Sequence, residues 1–113
     1  MQQILPKHYL ENLPCLIVAV TSALGNRPDE KPVLKENGYA TLKIANTYIR
    51  DSLKVNKRIN YNRQNRPRLK DLHIDGRAIV CVLGHFLYLD HESYHSFFDN
   101  EEDEVVSVWL LKE

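Results

Sequence analysis

The chain has 113 residues, 43% hydrophobic and 27% charged, which fits one domain over 1–113 and is too apolar for a disordered chain. Fifteen basic residues balance fifteen acids, yet residues 50–77 hold nine Arg/Lys against three Asp and residues 90–113 hold eight acids against Lys112, a dipolar distribution that neither excludes a polyanion partner nor argues for one. No apolar run approaches the ~18 residues of a membrane span, MQQILPKHYLENLP lacks the basic-then-apolar order of a secretory leader, and two cysteines make no disulfide scaffold, so a cytoplasmic chain with reduced thiols is expected.

The first strong element is CLIVAVTSAL, Cys15 to Leu24. Pro14 before it and Gly25 after it are start and stop signals for a helix, against the strand preference of Ile17, Val18 and Val20. Residues 25–38, with two Pro, two Gly and many charges, read as a loop. Leu42, Ala45, Ile49 and Leu53 then recur at helical spacing among polar residues, predicting an amphipathic helix at roughly 40–53. Between 55 and 72 the pattern predicts a short strand near 58–61 and then a loop. Asp75-Gly76 signals a turn. Strands are expected at Arg77–Leu83, His85–Leu89, Tyr94–Phe98 and Val105–Leu111, joined by polar turns at Asp90–Ser93 and Asp99–Glu104. Short connections make neighbours antiparallel. The expected fold is α+β, with N-terminal helices packed on a C-terminal antiparallel β-meander.

Chemistry concentrates at three points. Cys15 falls in the first turn of the predicted helix, where unpaired N–H groups and the helix dipole favour a thiolate and are expected to lower the thiol pKa. His85 opens the second strand of the meander, a position from which a base could serve a thiol on a helix resting on that sheet. Asp99 or Asn100 ends the next strand. Antiparallel neighbours bring opposite ends together, so either could orient the imidazole through its second nitrogen. Each residue taken alone has a plainer reading: a cysteine in an apolar helix is commonly a small core residue, and a histidine in a strand is commonly structural.

The order of these residues resembles the papain-like cysteine peptidase superfamily, most closely its compact bacterial branch, the bacteriocin-processing-type peptidases. The resemblance covers Pro14 to Gly25 and, through GRAIVCVLGHFLYLD, Arg77 to Asn100. It implies a papain-like fold, with Cys15 as nucleophile, His85 as base and Asp99 as orienter, acting on a peptide or isopeptide bond without a cofactor. The family carries Gly after the nucleophile, where this chain has Leu16, and Gln about six residues upstream as an oxyanion donor, where it has Tyr9. Gln3 and Asn12 are the amide candidates for that role, both off register. The resemblance therefore implies a small cysteine hydrolase, active or degenerate. The alternative is a non-enzymatic partner-binding or inhibitor protein that uses its charge-polarised surface to steer association.

Two further patterns carry competing readings. Cys81, His85, His91 and His95 invite a metal reading, but on a strand positions 91 and 95 lie roughly 13 Å apart, too far for one zinc, and no metal is expected. Residues 50–70 interleave Arg58, Arg63, Arg66 and Arg68 with Asn and Tyr61, as a nucleic-acid or anion patch would. A solvated basic face balancing the acidic C-terminal region is the favoured reading. The expected partner is a peptide or protein rather than nucleic acid or membrane. Tyr88, Tyr94, Phe97, Phe98 and Trp109 are read as core and sheet-face residues.

Overall fold

Arg77–Val82 carries no charge after its first residue and is buried from Ala78 onward, the pattern of a strand covered on both faces. It is the centre of the fold. The computed structural model describes residues 1–6, 15–25 and 41–112. In chain order the elements are β1 (Gln2–Ile4), α1 (Cys15–Leu24), α2 (Leu42–Ser52), β2 (Val55–Asn60), a 3-10 turn (Leu69–Asp71), β3 (Arg77–Val82), β4 (His85–Asp90), β5 (Ser93–His95) and β6 (Val105–Leu111). The loop expected at 25–38 lies, after Gly25, outside the described residues.

The strands form one six-stranded sheet in the order β1-β5-β4-β3-β6-β2. β1 runs parallel to β5, and every other pairing is antiparallel. This corrects the expected fold class. The protein is mostly a mixed sheet with two helices among its described residues, not helices packed on an antiparallel meander. Three features account for the difference. The N-terminal residues Gln2–Ile4 add a parallel edge strand beside β5. Residues 55–60 form a full strand, beginning three residues earlier than expected. β6 does not follow β5 in space but returns to the far side of β3, with Val80 opposite Val108. β2 then pairs along β6 with Arg58 opposite Trp109. The expected strand at Tyr94–Phe98 also ends early, at His95, where the chain leaves the sheet.

Both helices cover one face. α1 is apolar almost all round, as a buried helix must be, and packs mainly on β4. Its Leu16, Ala19 and Val20 join Ala45, Tyr48 and Ile49 of α2 over Ile79, Cys81, Phe86 and Trp109. The opposite face buries Val80, Val82, Leu87, Leu89 and Val108 beneath Leu69, Leu72 and Tyr94.

The helix ends follow from local chemistry. Gly25 takes φ +83° and donates its N–H to the Thr21 carbonyl, closing α1 in the left-handed conformation that glycine adopts without strain. Arg77 reaches across from β3 and donates to the Ala23 carbonyl at 2.6 Å, a cation at the negative end of the helix. Thr41 caps α2 by accepting from the Ile44 N–H at 3.2 Å. On the same helix, Asn46 accepts from the Trp109 indole at 2.9 Å and from Arg50 at 3.0 Å, which ties α2 to β6.

Candidate functional site

α1 packs on β4, and the backbone N–H of Phe86, near the start of that strand, faces the Cys15 sulfur, which places Cys15 and the histidine of the β3–β4 hairpin at the same end of the sheet. Cys15 and His85 line the same cavity, of about 370 Å3. Its polar rim adds His95 and Ser96, and its walls are Val18, Phe86, Phe97 and Phe98. The hairpin turn that delivers His85 depends on Gly84, at φ +78°. The imidazole stands edge-on to Phe98, with ring centroids 5.6 Å apart.

The thiol is not the preformed thiolate that the helix dipole alone would give. Burial pushes the Cys15 pKa above its ordinary value of 9.0, and the backbone N–H groups of Phe86, Leu16 and Cys15 itself, which face the sulfur, offset this only in part. The expected lowering by the helix N-terminus is present but is outweighed by desolvation. His85 moves the other way: burial lowers it from 6.5, and the charge of Asp103 opposes the shift. Near neutral pH both groups are therefore uncharged. Cys81, on the neighbouring strand, is pushed up to about 12, first by burial and then by the charge of Cys15, and is an inert thiol.

His85 is held by a chain of hydrogen bonds. Its Nε2 lies 3.1 Å from Ser96 Oγ. Ser96 Oγ donates to Asn100 Oδ1 at 2.6 Å and accepts from the Phe98 N–H at 3.1 Å. Asn100 Nδ2 donates to Asp103 at 2.7 Å. Ser96 and Asn100 are 2% and 4% exposed, so these bonds are shielded from water.

Of the sequence candidates, Cys15 and His85 line one cavity, and Asn100 reaches the imidazole through Ser96. Asp99 does not: its carboxylate accepts from the Tyr94 hydroxyl at 3.3 Å and from the Glu101 N–H at 3.2 Å, serving the turn rather than the histidine. Gln3 donates its amide to the Ser96 carbonyl at 3.1 Å, fixing that segment instead of facing the thiol. Asn12 lies outside the described residues. The sequence reading missed Ser96 and Asp103. The only trace of them in the sequence is a small hydroxyl residue among bulky ones, followed by an Asn and an Asp spaced three apart in an acidic turn.

The four arginines of the basic segment differ in their surroundings. Arg58 lies over the Trp109 ring, 4.8 Å from its centroid, and donates to Ser107 Oγ at 3.0 Å. Arg63 is exposed and Arg66 is half-buried. Arg68 pairs with Glu102 at 2.7 Å, as does Lys70. Among the described residues, no three His, Cys, Asp or Glu are grouped to hold a metal, and no helix is long and apolar enough to cross a membrane. Compared with known proteins, the chain matches no family model, no curated protein and no solved structure.

Proposed function

We propose that the protein is a cysteine hydrolase that cleaves acyl bonds, peptide bonds among them, with Cys15 as nucleophile and His85 as general base. The observation that carries this reading is a half-buried thiol at a helix N-terminus sharing a cavity with a histidine whose Nε2 is already engaged by Ser96. A nucleophile, a base beside it and a third group orienting the base is the arrangement that nucleophilic catalysis requires.

Because both groups rest uncharged, the base acts at the moment of attack. His85 takes the Cys15 proton as the sulfur bonds to the acyl carbon, and the carbonyl π electrons move to oxygen. The backbone N–H groups of Phe86, Leu16 and Cys15, which face the sulfur, are candidate donors for that oxyanion. Collapse expels the leaving group, which takes the proton back from His85, and leaves a thioester on Cys15. Water then attacks the thioester with His85 again as base, releasing the acid and restoring the thiol. The Phe and Val walls favour an apolar group next to the scissile carbonyl.

The test is hydrolysis of 4-nitrophenyl esters of N-acylated phenylalanine and of N-acylated aspartate, followed at 400 nm or thereabouts. Turnover of the phenylalanine ester above the aspartate ester, abolished by both Cys15→Ala and His85→Gln, supports the reading. Turnover that survives Cys15→Ala, or none with the wild-type chain, refutes it.

A further inference from the structure

We infer that Ser96 is a positioning residue of this site: it passes the polarity of the Asp103 carboxylate, through Asn100, to His85 and holds the imidazole as its Nε2–H tautomer, with Nδ1 open to the cavity. The inference rests on the hydrolase reading for its purpose, but its geometry and its test stand without it.

Donor counting allows one arrangement. The Asp103 carboxylate only accepts, so the Asn100 atom beside it at 2.7 Å must be the amide nitrogen. That turns Asn100 Oδ1, an acceptor, toward Ser96 at 2.6 Å, and the single hydroxyl proton of Ser96 must point at it. The oxygen of Ser96 then has two lone pairs left. One accepts the Phe98 N–H at 3.1 Å. The other faces His85 Nε2 at 3.1 Å, which must supply a proton. A neutral imidazole carries one N–H, so Nδ1 is left as the lone-pair nitrogen. No step in this chain is free once Asp103 is ionised.

The backbone around Ser96 is fixed for this purpose by the first strand. The Ser96 N–H donates to the Ile4 carbonyl at 3.1 Å, and its carbonyl accepts the Gln3 amide at 3.1 Å. β5 has ended one residue earlier, so it is the bonds to the edge strand β1 that hold Ser96 beyond the end of its own strand. The groups that titrate around the ring are Cys15 from α1, His95 from β5 and Asp103 from the turn.

Two-dimensional long-range 1H–15N NMR at pH 7.5 tests the inference, with the His85 signals assigned by their loss in His85→Gln. The wild-type chain is expected to show a pyrrole-type Nε2 and a pyridine-type Nδ1. Ser96→Ala and Asp103→Asn should both convert this to a mixture of tautomers. Ser96→Thr, which keeps the hydroxyl, should restore the single form. In the ester assay, Ser96→Ala should lower kcat/KM by roughly 100-fold, the cost of a misplaced catalytic group, with Ser96→Thr recovering most of it. A wild-type Nδ1–H tautomer, or a tautomer balance unmoved in Asp103→Asn, overturns the inference. The single Nε2–H form together with no ester turnover removes the hydrolase reading and leaves the chain of bonds intact.

Discussion

A thiol and an imidazole that are both uncharged at rest respond to pH differently from an ion pair. His85 titrates below its ordinary 6.5, so the base form persists into mild acid, and the acid limb of kcat/KM is expected below pH 6.5. Cys15 titrates above 9.0, so alkylation by iodoacetamide should be slow at pH 6 and rise only in the alkaline range. A labelling rate already at its plateau at pH 6 would contradict this. Cys81 gives a matching prediction for stability. Its folded pKa of about 12 lies above the ordinary 9.0, so its contribution is fully present below pH 9 and is lost as pH rises toward 12. Urea midpoints measured from pH 8 to pH 11 should fall for the wild-type chain and fall less for Cys81→Val. Gly84 is a residue of a different kind. A Cβ there would meet nothing within 4 Å, so Gly84→Ala tests backbone strain alone and should cost about 1–2 kcal/mol in denaturant unfolding. A neutral result would mean that the turn is not held at its positive φ.

At the scale of elements, the ends of α1 show what the sequence reveals and what it hides. Pro14 and Gly25 bracket the helix in the sequence, and it runs from Cys15 to Leu24 as those signals imply. The strand at Val105–Leu111 was equally legible, because a β-branched, apolar run directly after an acidic turn has few other uses. The cation that finishes α1 was not legible. Arg77 sits 54 positions away from Ala23, and only the packing of α1 on the sheet brings its guanidinium to the helix end, where it also donates to the Tyr88 hydroxyl at 2.6 Å. Arg77→Met should therefore destabilise by about 1.5–3 kcal/mol, the usual worth of hydrogen bonds to a charged group, while Arg77→Lys recovers part of it. Thermal unfolding of the three chains checks the order. β1 was missed because three residues carry no periodicity to detect. The order of the sheet was missed because the pairing of β6 with β3 and of β1 with β5 depends on long-range contacts that no local pattern encodes. The site divides in the same way. Cys15 and His85 stood out by residue type and by position at the start of an element. Ser96 and Asp103 act only through the hydrogen bonds that the fold gives them, and Asp99 differs from Asn100 only in which way the turn points its side chain.

For the whole molecule, the uneven charge becomes an internal fit. The acidic turn at 99–104 lies along the basic segment, with the Leu69 N–H donating to the Asp103 carbonyl and the Val105 N–H to the Pro67 carbonyl. Arg68 and Lys70 both reach Glu102 there, at the surface and open to salt. Glu102→Gln is thus expected to leave the unfolding midpoint nearly unchanged. Stability resides instead in the core beneath the helices. Trp109 is fully buried, carries Arg58 over its ring and donates to Asn46, joining β6, β2 and α2 at one side chain. Trp109→Ala should cost about 3–5 kcal/mol, readable by urea denaturation. That core also sets the site, since α1 rests on the same sheet face and holds Cys15 above the start of β4. The measurement that tests the account most directly is intact mass, with peptide mapping, after brief exposure to the 4-nitrophenyl ester of N-acylated phenylalanine and rapid acid quench. The account predicts one acyl group, attached at Cys15, formed by the wild-type chain and strongly reduced in His85→Gln. An acyl group on Cys81, or acylation of Cys15 at the same rate with and without His85, would contradict it.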